Sequence, residues 1–363
     1  MKLQYVRYTP GIEVMAPDEA ALTSDILKEM AATSRQTFDL RRHAFRDAFA
    51  KSHGFLKGEL SISGDLPEHL RQGVFARAAT YQVVIRLSSA SGDIVSDTIP
   101  EARGMAIKLI GVDGARLLPD HTGHNQDFLL INIPVFAPGT LPLYKNLLNL
   151  NKTVASSPEF VQRGLAAVAR GVEAVEEAVG VEPSAVVQTA ARDNANLLGE
   201  TYHSMAAIRF GDYVAKISAA PLSANVKALT GRQVDDVGNS TMRDLVVEHF
   251  RREGADYQLR AQLCVDLDRM PIEDASVLWP EELSPHQAIA TLRIPPQEAF
   301  SPARRVFGDD VLRFTPWNGI EEHRPLGAIM RVRKSVYDQS SRFRHEMNVQ
   351  PRIEPAAISD IPD

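Results

Sequence analysis

A single cysteine, Cys264, in 363 residues leaves no partner for an internal disulfide. The residues around Cys264 read as a β-strand, with no helix N-terminus or basic cluster beside them, so a packed thiol is expected rather than a nucleophile. No apolar run approaches the ~20 residues of a membrane helix. The opening MKLQYVRYTPG also lacks the apolar stretch of a secretory signal. No membrane span and a reducing, cytoplasmic setting are therefore expected. Positive charge is not in excess either: 40 Lys and Arg stand against 46 Asp and Glu, a net charge of -6. Arginines do gather near 41–46 and 331–344, but the chain as a whole offers no footprint for a phosphate backbone, and nucleic acid is not an expected partner. A G-x-S-x-G elbow, a Walker A loop, paired C-x-x-C and H-E-x-x-H are all absent, which removes the usual sequence support for several chemistries. No internal repeat or low-complexity linker is visible.

What is present is ordinary globular material, 44% hydrophobic and 24% charged, in a chain long enough for one large domain or two modest ones. Residues 18–36 carry apolar residues at helical spacing behind an acidic start and predict an amphipathic helix. From 56 onward the period shortens. LKGELSI, YQVVIRLSS, GMAIKLIGV and DFLLINIPVF are short β-rich runs between Gly, Pro and Asp turns, the pattern of an antiparallel meander. Helical spacing returns over 140–180 in LPLYKNLLNLN and SPEFVQRGLAAVARGVEAVEEAV. Strand patterns then resume in MAAIRFGDYVAKISAAP, DYQLRAQLCVDLD and QAIATLRIPP, so the helical block reads as an insertion into a barrel or sandwich. A helix over about 325–347 closes the pattern before a Pro-rich tail.

Two histidines, His43 and His53, flank Phe49 in HAFRDAFAKSHGFLKGEL and are the first residues to suggest proton transfer. DHTGHNQD at 120–127 places His121 and His124 three apart, between Asp120 and Asp127. No third ligand follows at recognisable spacing, so a polar loop is the plain reading against a metal site. In the last helix Arg333 and Tyr337 stand at i and i+4 and share a face. A guanidinium beside a phenol favours the phenolate, and tyrosinate is an established haem iron ligand. The plain alternative is that the pair covers a helix face.

Taken together, VVIRLSSASGDIVSDTIPEARGMAIKLIGVDG, NQDFLLINIPVF, MPIEDASVLWPEELSP and FTPWNGIEEHRPLGAIMRVRKSVYDQSSRFR resemble the haem-dependent catalase superfamily, and within it the short bacterial catalase-like, catalase-related peroxidase proteins. The resemblance runs over roughly residues 40–347. It implies an α+β fold, an eight-stranded antiparallel β-barrel with surrounding helices and a buried haem b. On this reading residues 1–39 are an N-terminal helical arm, 40–347 the haem-binding domain and 348–363 a C-terminal tail.

Position by position, the resemblance implies Tyr337 as the axial iron ligand and Arg333 as the cation that holds its phenolate. Arg46, Arg86 and Arg344 match arginines on the haem propionates, where charge-assisted bonds would hold two carboxylates. Ser88 matches a distal serine. The distal asparagine falls on Asn125 or, one residue earlier, on His124, and Phe136 lies near an aromatic that packs on the haem face. The family pattern R-x-x-H-x-K reads here Arg46-Asp47-Ala48-Phe49-Ala50-Lys51, so Phe49 stands where a distal histidine is expected. A phenyl ring cannot move a proton between peroxide oxygens. His53, four residues on, would be displaced by about 13 Å in an extended chain.

The expectation is therefore a haem b enzyme acting on hydrogen peroxide or an organic hydroperoxide, with weak catalase turnover. The alternatives are rearrangement or dehydration of a lipid hydroperoxide, or haem binding without turnover. The family commonly self-associates, so a homo-oligomer is expected.

Overall fold

The computed structural model describes residues 4–118, 123–155, 194–235 and 237–363. Among the described residues nine strands form one sheet: β1 (Ser52–Ile62), β2 (Ala79–Ser89), β3 (Arg103–Ile110), β4 (Asn125–Ile131), β5 (Tyr202–His203), β6 (Ile208–Phe210), β7 (Tyr213–Pro221), β8 (Ala255–Leu263) and β9 (Gln287–Ile294). Antiparallel pairing runs β5-β4-β3-β2-β1-β9-β8-β7 and closes through β5 with β7, where His203 faces Ser218. Eight strands thus make a closed barrel, as expected, and closure leaves no free edges in the ring. The ninth strand, β6, pairs with β7 outside the ring. The turn between them needs Gly211, which has φ 61; a Cβ there would meet the Gln72 side chain at 2.1 Å.

The four longest helices among the described residues are α1 (Glu19–Arg41), α2 (Leu141–Ala155), α3 (Thr241–Arg252) and α4 (Ala328–Met347). The expected helical insertion is present as α2 between β4 and β5, whereas the segment SPEFVQRGLAAVARGVEAVEEAV lies outside the described residues. Cys264 falls one residue past β8 rather than within it, fully buried, and burial pushes its thiol up to about 11. No helix among the described residues is long and apolar enough to cross a membrane.

The two-residue period decides where the site can form. Ile85, Leu87, Met105, Ile107, Phe128 and Leu130 point into the barrel and belong to its apolar core. Their neighbours therefore point outward. The register sets two lateral rows on the outer wall, Arg86–Ala106–Leu129 and Ser88–Gly104–Ile131. This wall is itself covered, because α4 and the segment before β1 pack over it. Both faces of β2, β3 and β4 are buried at that point, and their sequences are accordingly near-continuous apolar runs.

Candidate functional site

The space between that outer wall and α4 is a cavity. Its apolar lining includes Ala106, Leu129, Ile131, Met205 and Phe314; its polar groups are Arg46, Arg86, Ser88, Arg333 and Tyr337. Among the described residues, no histidine, aspartate or glutamate lines it.

Helix α4 positions Arg333 and Tyr337 by burying the adjoining face. Val332 and Val336 pack with Ile26 and Met30 of α1. The first turn is fixed by Arg331, whose guanidinium donates to Glu13, Glu19 and Glu273. With the helix so oriented, the i, i+4 spacing places Arg333 Nη2 2.7 Å from Tyr337 Oη, to which it donates.

Phe49 faces the same cavity. Its backbone is left-handed, with φ 58, a conformation rare for an aromatic residue. Two hydrogen bonds hold it there. Its N–H donates to Ala90 O at 3.0 Å, and its carbonyl accepts from Arg86 Nη2 at 2.7 Å. The ring lies over Gly104: a Cβ at that position would lie 2.8 Å from two ring carbons and 3.0 Å from Ser88 Oγ. An isolated glycine inside a strand signals such a close approach, and the Arg-Gly start of β3 was the available clue.

Arg46, Arg86 and Arg344 converge on one short segment, the π-helical turn Phe307–Val311. Arg46 donates to the carbonyls of Gly308 at 2.7 Å and Leu312 at 2.8 Å, and to Asp309 Oδ1 at 3.3 Å. Arg86 Nη2 reaches the same Asp309 Oδ1 at 3.2 Å. Arg344 donates to the carbonyls of Asp309, Asp310 and Leu312. Burial and the neighbouring arginine charges hold Arg46 well below its ordinary pKa; burial lowers Arg86 and brings Arg344 down to about 10. Arg344 bonds to the turn and is not among the cavity-lining residues.

The remaining candidates lie elsewhere. Asn125 opens β4, about 13 Å along the strand from Leu129, and its amide donates to Glu354 Oε2 and Pro355 O. His124 is exposed, 3.7 Å from Asp113, and His121 is outside the described residues. Asp127 is tied to Lys108 at 2.7 Å. Phe136 stacks edge-on against Tyr144 at 5.3 Å, in the apolar cluster that Tyr337 also borders. His53 is fully buried and paired with Ser89 Oγ at 2.7 Å, while His43 is paired with Asp310 at 2.8 Å. Neither histidine is among the lining residues.

A closed eight-stranded antiparallel barrel, with helices packed outside and a cavity between wall and helix, is the catalase-like fold. Solved structures agree. The chain is similar to a fungal catalase at 15% identity and a TM-score of 0.59, with 95% of this chain and 66% of that one covered. It is similar to catalase A from Saccharomyces cerevisiae at 14% identity and a TM-score of 0.58, covering 96% and 70%. A bacterial catalase gives 13% identity and a TM-score of 0.56, covering 98% and 67%. The chain thus spans about two thirds of the length of these catalases. No family model and no curated protein matches it by sequence.

Proposed function

We propose that this protein is a haem b-dependent enzyme acting on hydroperoxides, with Tyr337 as the iron ligand and Phe49 on the opposing side of the cavity. The observation that carries this reading is that Phe49 and the bonded pair Arg333–Tyr337 line one apolar cavity. The residues present suit a flat, largely apolar group with acidic edges. A phenol held by a guanidinium faces an apolar slot, two arginines stand on its border, and Arg86 Nε is buried without a partner. When bound, haem b supplies redox-active iron for cleavage of an O–O bond.

The chain's own contribution follows from its side chains. Arg333 donates to Tyr337 Oη and favours the ionised phenol as a ligand. Ser88 presents a hydroxyl beside Phe49, able to hold one oxygen of a substrate but not to act as a strong base. Phe49 excludes water and moves no proton, so disproportionation of hydrogen peroxide is expected to be slow. The apolar lining favours organic hydroperoxides over hydrogen peroxide. A second reading, rearrangement or dehydration of a lipid hydroperoxide, is favoured by the same lack of a histidine or carboxylate proton acceptor among the described lining residues.

Titration with haemin, followed by visible absorbance, tests the cofactor. A Soret band that Tyr337→Phe weakens and shifts is expected. If haemin produces no bound spectrum with the unaltered chain, the proposal fails. Phe49→His tests the chemistry, since histidine tolerates the left-handed backbone better than phenylalanine does. Oxygen evolution from hydrogen peroxide should rise by on the order of 10²-fold. An unchanged rate with haem bound would refute the role given to Phe49. A bound spectrum without conversion of any hydroperoxide would mark a haem-binding protein instead.

A further inference from the structure

The arginine cluster already holds an anion, and the chain supplies it. Asp309 Oδ1 lies 3.3 Å from Arg46 Nη1 and 3.2 Å from Arg86 Nη2, and Ser52 Oγ donates to its other oxygen at 2.7 Å. These are the contacts a ligand carboxylate would make. We propose that Asp309 is a built-in counter-anion that closes the Arg46–Arg86–Arg344 cluster, and that its carboxylate must release Arg46 and Arg86 before a carboxylate-bearing ligand can engage them.

Three observations support displacement of the side chain rather than of the turn that carries it. The turn is pressed against β1: a Cβ on Gly308 would lie 2.1 Å from the Phe55 ring, so the backbone has no room to shift inward. The turn is also held by carbonyls independent of the carboxylate, those of Gly308 and Leu312 to Arg46 and those of Asp310 and Leu312 to Arg344. Asp309 itself is 23% exposed, against 3% for the Arg86 side chain, so it can turn towards solvent while the arginine cannot. The cluster also has unused capacity. Arg46 and Arg86 share one carboxylate, Arg344 bonds backbone carbonyls only, and the Nε atoms of Arg86 and Arg344 are buried without partners. Burial first, and then the charges of Arg86 and Arg344, hold Arg46 well below its ordinary pKa, and an additional anion would oppose the second effect.

The test compares the unaltered chain with Asp309→Asn, which keeps the shape and removes the charge, using two kinds of probe. Haemin and its dimethyl ester differ only in their carboxylates; this arm rests on the proposed function. Succinate, followed by the melting temperature of the protein without porphyrin, does not. Asp309→Asn should bind haemin about tenfold more tightly than the unaltered chain, with the diester unaffected. Succinate should raise the melting temperature of Asp309→Asn by ~3 °C while leaving the unaltered chain in place. Equal stabilisation of both proteins by succinate overturns the inference, as does an equal gain for haemin and its diester. Binding of haemin to neither protein, with succinate still selective for Asp309→Asn, would sink the proposed function and leave this inference standing. Should Asp309→Asn not fold, Ser52→Ala decides: it removes only the bond that steadies Asp309 and should shift both readouts the same way by a smaller amount, and no shift overturns the inference.

Discussion

The contact between Gly104 and Phe49 gives the most direct test of the site geometry. A methyl group at residue 104 would sit 2.8 Å from Cδ1 and Cε1 of Phe49, about an ångström inside ordinary contact, and 3.0 Å from Ser88 Oγ. The ring cannot simply swing away, because its backbone is held by the Ala90 and Arg86 bonds and its position is bordered by Ile131, Ile133 and Val135. Gly104→Ala should therefore destabilise the protein by about 1–3 kcal/mol, the usual cost of overpacking. In a Phe49→Ala background the ring is gone and the left-handed backbone still carries a Cβ, so only the milder contact with Ser88 remains. There the same substitution should cost about 0.5 kcal/mol or less. Urea unfolding of the four proteins, extrapolated linearly, gives the coupling energy as a difference of differences. A coupling of at least about 1 kcal/mol is expected. If Gly104→Ala costs the same in both backgrounds, within about 0.4 kcal/mol, the ring does not lie over Gly104 and the assignment of Phe49 to the cavity wall is wrong.

Two further outcomes concern the scaffold. His323 is buried among Phe75, Phe128 and Phe210, its Nε2 accepts from Val74 N–H, and burial brings its pKa down to about 3. Between pH 6.5 and 3 the unfolded chain binds a proton at this residue that the native state does not, so stability falls as pH falls, by up to about 1.4 kcal/mol per pH unit. His323→Gln should flatten that slope by the same amount in urea titrations at pH 4–6.5; an unchanged slope would place the acid sensitivity elsewhere. Arg331 stands among Glu13, Glu19 and Glu273 with a side chain 15% exposed. Arg331→Leu leaves three carboxylates facing one another and should cost about 2–4 kcal/mol by denaturant unfolding, and a loss under 1 kcal/mol would show that the carboxylates reach solvent on their own.

The barrel was legible because strand and helix periods differ, and because each barrel strand but β5 carries a recognisable alternating or apolar run. β5 is two residues long and has no period to read. Arg333 and Tyr337 were legible as a pair because helical spacing alone brings them together. The wall they face was not. Gly104, Leu129 and Ile131 become neighbours through strand register, which is set by pairing across the sheet rather than by any local pattern. Asn125 shows the converse: a motif match placed it near the site, but strand geometry carries it to the far end of β4 and into bonds with the C-terminal tail. Asp309 left no trace in GDDV, since its role depends on three arginines distant in sequence and on a π-helical turn that no periodicity marks.

The cavity is bordered by residues 46, 48, 49, 86, 88, 104–106, 129–131, 205, 314, 333 and 337, which span most of the chain. A ribosome releases these in order, and the first wall waits on the last helix. Nothing can be gripped between Phe49 and Tyr337 until α4 has emerged and Arg331 has met glutamates made some three hundred residues earlier. Ligand capture at the proposed site would therefore come late, and a chain ending at residue 328 would carry all eight barrel strands without the Arg333–Tyr337 side of the cavity.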